Sequence, residues 1–247
     1  MEHEEYMRQA LELARLAMAR HRRGARGAAG GKTSTLYALA RQAADSGRTV
    51  VVTTTTHILR HPGLPLVEEP TPERLRAALE GHGVVTVGTV FRGDKLSGAG
   101  TPEELRRAAD VVLVEADGAK RLPLKAPAEY EPVIPPCADA VAAVAGMDAV
   151  GQAVGAVCHR PERVCALLGA GAEHVLTPED VALLLASPQG GRKGVREAMA
   201  FRCVLNKADT PERSAHASAV AGRLAERGIH SAITYYREEE RGGLCWF

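Results

Sequence analysis

The sequence predicts an α/β protein, a mostly parallel sheet flanked by helices, on three observations. Segments with helical spacing of apolar residues alternate along the chain with short β-branched segments. Those β-branched segments are continuous apolar runs such as Val111-Val112-Leu113-Val114, the pattern of strands buried on both faces. Aromatic residues make up only 4% of the chain while apolar residues make up 45%, so the core is expected to be Ala, Val and Leu.

Each element follows from local pattern. Residues 5–20 place Tyr6, Ala10, Leu13, Ala14 and Ala17 at helical spacing, with Glu4, Glu5 and Arg8 opposite. Residues 20–26 then carry four arginines and one histidine and read as a basic loop. Glycines 27, 30 and 31 lead into Lys32 and a helix to about Ala44, which Gly47 ends. Residues 49–53 form a strand, 62–71 a loop rich in proline and glycine, 72–80 a helix and 84–90 a strand. Thr101-Pro102-Glu103-Glu104 starts a helix that runs to near Asp110, with a capping hydroxyl, an early proline and two acids at the positive dipole end. Strands follow at 111–114, 140–144, 204–205 with neighbours and 231–235, and helices at 178–186 and 211–227. The chain divides into an atypical N-terminal helix and basic loop, 1–27, and an α/β domain, 28–247.

Composition excludes several classes. With 31 basic and 30 acidic residues the net charge is +1, too little to draw the chain to nucleic acid or to a membrane surface. No apolar run is long enough to span a bilayer, and the acidic opening Met1-Glu2-His3-Glu4-Glu5 is unlike a signal peptide. Five cysteines without CxxC spacing read as small buried residues in a reducing compartment, so a soluble, cytoplasmic protein is expected.

Three strand-end motifs carry the chemistry. Gly30-Gly31-Lys32-Thr33-Ser34 opens a helix and supplies what a phosphate site needs: glycines that let backbone amides curl around an anion, a lysine and a hydroxyl for Mg²⁺. Arg26 stands where the full GxxxxGK[ST] pattern has glycine. Glu115-Ala116-Asp117-Gly118 ends the 111–114 strand and places two acids where a metal ion is held or ordered. Asn206-Lys207-Ala208-Asp209 has the NKxD form that reads guanine in GTPases, although no DxxG element accompanies it. The cofactors expected are therefore Mg²⁺ and ATP or GTP. Thr54 and Thr55, at another strand end, are placed to meet phosphate or metal-bound water, and Lys120, Lys125, His159 and Arg160 suit a small anionic ligand.

Taken in order, AGGKTS, VVVTTTTHI, VLVEADGAKRLPLKAPAEYEPVIP, GMDAVG, CHRPE and VLNKAD resemble the YqeC family, accessory proteins of selenium-dependent molybdenum hydroxylases. The likeness runs from about Ala28 to Asp209. It implies a P-loop NTPase-like fold and a role in selenium and molybdenum cofactor maturation, with a hydroxylase or its maturation proteins as partners. Carried over by position, it points to the motif residues above and adds Glu129 and Glu131. Asp117, Glu115 and His159 are the expected catalytic groups, and Thr33 and Asp117 the expected metal ligands. Family members usually carry an apolar strand just before the glycine-lysine loop, where this chain has residues 20–29. Its first residues instead resemble the first helix of tRNA adenosine deaminases, without their zinc signature. A GTP-dependent switch or metallochaperone, and a scaffold with a decayed phosphate loop, are the alternative functions.

Overall fold

The computed structural model describes residues 31–238 and 244–245. The helix read over 5–20, the basic loop after it and Gly30 lie outside the described residues. From Gly31 the chain enters α1 (Lys32–Asp45), which buries Tyr37, Ala40 and Ala43 along one face. Next come β1 (Val50–Thr54), β2 (His57–Leu59) and β3 (Leu66–Val67). Helix α2 (Pro72–His82) starts with proline in its first turn and Thr71 accepting from the Arg74 amide, and buries Leu75 and Leu79. Strands β4 (Val84–Val87), β5 (Thr89–Arg92) and β6 (Lys95–Ser97) precede α3 (Pro102–Leu105), β7 (Val111–Glu115), β8 (Leu124–Lys125) and β9 (Ala140–Gly146). Then follow α4 (Val154–Val157), β10 (Cys158–His159), α5 (Pro161–Leu168), α6 (Pro178–Ala186), β11 (Ala200–Asn206), α7 (Pro211–Ala225), β12 (Ser231–Ile233), β13 (Arg237–Glu238) and β14 (Leu244–Cys245).

Two parallel sheets carry the architecture, in the strand orders β3-β4-β1-β7 and β12-β11-β9. The expected α/β class with mostly parallel pairing is what forms. Val50, Val51 and Val52 are all 0% exposed, and alternation sends them to opposite faces. Val50 and Val52 join Tyr37 of α1, whereas Val51 joins Leu75 and Leu79 of α2. The second sheet packs through Leu205 and Cys203 against Leu184 of α6 and Val220 and Leu224 of α7. Each fully buried leucine of this kind contributes roughly 1.5–3 kcal/mol. Cys158 and Cys203 are free, buried thiols, and burial pushes both up to about 12. Among the described residues no helix is long and apolar enough to cross a membrane.

Several elements differ from the sequence expectation. The 84–90 strand splits at Gly88, because the chain there passes so close to Ser97 that an added Cβ would lie 2.6 Å from its carbonyl oxygen. Its second half turns into an antiparallel sheet with β6 and β2. The helix after Thr101 forms with the expected Thr101 cap, which Glu104 completes as a capping box, but ends at Leu105. Asp110 instead accepts from the amide and hydroxyl of Thr49, tying the starts of β7 and β1 together. The 62–71 loop contains β3, whose two residues take strand form only by pairing with β4. Helices α4 and α5 carry too few turns to show clear periodicity.

Strand β7 is exceptional in the first sheet. All five of its residues are half-buried, unlike those of β1 beside it, and among the described residues its other edge has no paired strand.

Candidate functional site

The site gathers at the C-terminal ends of the parallel strands, where ligands collect in open α/β sheets. Gly31 caps α1 with φ 83°, a left-handed conformation open to glycine, and a Cβ there would lie 1.7 Å from Asn206 Nδ2. Both requirements select glycine. Asn206, the last residue of β11, is buried and accepts from the Thr234 hydroxyl at 3.2 Å. The start of α1 is thus pressed against the end of the second sheet.

On the other side it meets the end of the first. Thr33 Oγ1 donates to Glu115 Oε2 at 2.7 Å, and Lys32 Nζ lies 3.4 Å from both Oδ2 and the carbonyl oxygen of Asp117. Burial holds the Lys32 ammonium below its ordinary pKa, partly offset by Asp117, and burial raises that of the Glu115 carboxyl against the Thr33 hydrogen bond. Two motifs 82 residues apart in sequence therefore meet side chain to side chain.

From Asp117 an alternating chain of charges runs outward. Lys125 Nζ, only 4% exposed, binds Asp117 Oδ1, the Gly118 carbonyl at 2.6 Å and Glu131 Oε2 at 2.6 Å. Glu131 is held in turn by Arg160 at 2.7 Å, and Arg160 donates to Tyr130 Oη at 3.2 Å. Burial opposes the Glu131 charge, but Lys125, the Ala128 amide and Arg160 outweigh it and place its pKa below the usual carboxylate range. The short parallel pair β8–β10 sets His159 opposite Lys125. His159 Nδ1 is buried without a partner, and burial, Lys125 and Arg160 together lower its pKa. Neutral imidazole is thereby favoured.

Backbone strain marks the same region. Among the described residues, four other than glycine have positive φ: Lys120, Arg121, Arg160 and Lys207. All four are cationic, and such conformations cost on the order of 1 kcal/mol or more each. Arg160 holds this conformation as the cap of α5.

The remaining expected residues are placed as follows. Ser34 follows Thr33 on α1 and is half-buried. Thr54 donates to the Glu115 carbonyl at 2.7 Å and Thr55 to the Val133 carbonyl at 2.7 Å, so both hydroxyls tie loops together. Lys120 is exposed near His159. Glu129 is 92% exposed and its nearest cation is Arg163 at 3.7 Å, apart from the charge chain. Lys207 pairs with Asp148 at 2.5 Å, joining the VLNKAD and GMDAVG segments, while Asp209 pairs with Arg213 at 2.8 Å. Tyr130 and Asp148 belong to the site region although neither was singled out from sequence. Among the described residues no three His, Cys, Asp or Glu side chains cluster as a metal site. A metal ion would therefore depend on Thr33, Glu115 or Asp117 and on oxygens from a ligand.

Comparison with known proteins bears on this arrangement. The family model for YqeC protein matches residues 27–162, which span α1, β7 and the charge chain. An Escherichia coli (strain K12) protein described as uncharacterized protein YqeC is 36% identical over 180 residues, covering 68% of this chain and 68% of that protein.

Proposed function

The chain belongs to the YqeC family, and from that premise we propose that it is a nucleotide-binding accessory protein for the maturation of selenium-dependent molybdenum hydroxylases. The observation that supports nucleotide binding is the junction of Thr33 with Glu115 and of Lys32 with Asp117 at the first turn of α1. The α1 amides and Lys32 hold the phosphates, where the helix dipole favours negative charge. Mg²⁺, when bound, screens the phosphate charge. Thr33 is its protein ligand, and Glu115 or Asp117 orders the surrounding water. The hydroxyl and carboxylate already sit 2.7 Å apart, a spacing that fits this donor set.

In this reading Lys125, Arg160 and His159 face a second, anionic ligand. Asp117 and Glu131 match the charges of Lys125 and Arg160, so the excess positive charge beside His159 comes from exposed Lys120, and His159 keeps a buried ring nitrogen with no protein partner. The ligand class is a small oxyanion or selenium-bearing anion handled during cofactor assembly.

A GTP-dependent switch is the second reading, favoured by the contact of Asn206 with Gly31, which sets the Asn206–Asp209 segment beside the phosphate site. Calorimetric titration with ATP and GTP, each with and without Mg²⁺, tests both. Mg²⁺-dependent binding of either supports the proposal, and preference for GTP supports the switch. Absence of binding by both triphosphates refutes each.

A further inference from the structure

A three-stranded antiparallel sheet, in the order β2-β6-β5, is separate from the two parallel ones. It is pressed onto the C-terminal end of β1, because a Cβ on Gly98, just after β6, would lie 2.1 Å from the Thr54 carbonyl oxygen. The candidate site gathers at that same end of the first parallel sheet. Ile58 and Leu96 sit opposite each other in the small sheet and point into the core, at 1% and 0% exposed.

Strand β5 beyond them is uncovered. All four of its residues are exposed, although they include Val90 at 47% and Phe91 at 60%. The strand is bulged between Val90 and Arg92, which sets Arg92 opposite Lys95 across the Gly93-Asp94 turn and leaves Phe91 as the extra residue. Phe91 lies against His57 of β2, ring centroids 4.2 Å apart. By alternation His57 and Lys95 share the face turned away from Ile58 and Leu96, so the ring and the cations lie together. Charge on this face is as unusual as the exposed ring. Arg92 and Lys95 are like charges directly opposite in an antiparallel pair, an arrangement that destabilises a sheet. Arg60 adjoins them, its amide donating to the Asp94 carbonyl at 2.8 Å. All three cations are exposed, and none has an ion pair among the described residues. An uncovered aromatic ring and an uncompensated repulsion thus occur in one place. A partner that brings both carboxylates and apolar surface relieves the two together.

We propose that this face docks an acidic segment of a partner protein, which lays a large apolar side chain on Phe91 and carboxylates on Arg60, Arg92 and Lys95. Charge selects this occupant. A second copy of the same face would meet these cations with the same cations. An anionic lipid surface is opposed by Asp94, which occupies the hairpin's own turn, while Phe91 lies on the sheet face against His57 rather than at that turn. One exposed phenyl ring and three cations beside an acid fall short of the basic, multi-aromatic track that single-stranded nucleic acid follows. Because the sheet abuts the end of β1, the partner is held beside the candidate site. This inference does not rest on nucleotide binding.

The test uses the full chain and a fluorescein-labelled peptide, Asp-Glu-Leu-Trp-Glu-Asp, read by anisotropy at low ionic strength. Saturable binding is expected. The neutral peptide Asn-Gln-Leu-Trp-Gln-Asn, and the acidic peptide with serine for its leucine and tryptophan, should each bind more weakly by about tenfold or more. Phe91→Ser and Arg92→Glu, both at exposed positions, should weaken binding of the acidic peptide by about the same factor. Arg92→Glu should also keep or raise the unfolding temperature, because a carboxylate opposite Lys95 replaces repulsion with attraction. Absence of binding, equal binding of the neutral peptide, or binding unchanged in either variant overturns the proposal. A lower unfolding temperature of Arg92→Glu does so too, since Arg92 would then serve the fold. Tighter binding of phosphatidylserine vesicles or of a single-stranded oligonucleotide, lost in Phe91→Ser, gives the face to lipid or nucleic acid and overturns it, as does a dimer of the free chain that Phe91→Ser dissociates.

Discussion

Lys32→Ala separates a binding role from a folding role. In the free protein the ammonium makes two long contacts, each 3.4 Å, and the side chain is 24% exposed. Asp117 keeps Lys125 as a second cation when Lys32 is removed. The loss of stability is therefore under about 1 kcal/mol, as for a weak ion pair, which lowers the unfolding temperature by about 2–4 °C in a chain of this size. Partial burial against Asp117 is the reason for a small shift where a fully exposed lysine would give almost none. A bound triphosphate would instead take charge-assisted hydrogen bonds from the same ammonium, with a loss of about 1.5–3 kcal/mol, or roughly 10- to 150-fold in Kd. Calorimetric titration with ATP and GTP in the presence of Mg²⁺, beside scanning calorimetry of the unliganded variant, reads both quantities. An unchanged Kd, with the parent protein binding normally, would refute the assignment of Lys32 to the phosphates.

Further outcomes follow from neighbouring contacts. Glu131→Gln should lower stability by about 2 kcal/mol near neutrality, because the folded-state pKa of Glu131 is depressed. That contribution is present above the unfolded-state value and lost as pH falls through the depressed one, so urea melts of parent and variant should converge in acid; a constant gap would exclude the charge as its source. Gly31→Ala should cost about 1–2 kcal/mol for the left-handed backbone alone, and more because its Cβ meets Asn206 Nδ2. Unchanged thermal stability of that variant would mean that Gly31 and Asn206 do not pack in solution as described. If the Asn206–Asp209 segment reads guanine, Asp209→Asn should turn preference from GTP toward xanthosine triphosphate, and competition binding that shows ATP and GTP equal in the parent would contradict it.

The parallel α/β class was determined by sequence, because continuous runs such as Val50–Val52 satisfy a strand only where both faces are covered. Long helices were equally legible: α6 has its expected bounds, and α1 and α2 lie within two residues of theirs, since caps, prolines and periodicity are local signals. Thr33, Glu115, Lys32 and Asp117 were recognisable as candidates from their strand-end context, yet their pairing was not, because sequence does not show how close two strand ends lie.

Tertiary structure alone decided the rest. The two-residue strands β3, β8 and β10 exist through their partners, with no propensity of their own to reveal them. Lys125, read as one of several cations suited to an anionic ligand, became the nearly buried centre of the Asp117–Glu131–Arg160 chain because β8 seats it beside β10. The split of the 84–90 strand depends on the Ser97 backbone, nine residues beyond Gly88. Residues 111–115 look like the interior of a sheet by composition, yet among the described residues only β1 pairs with them. Side-chain pattern reports which faces of a strand are covered, whereas edge pairing is made by backbone groups that every residue but proline carries alike.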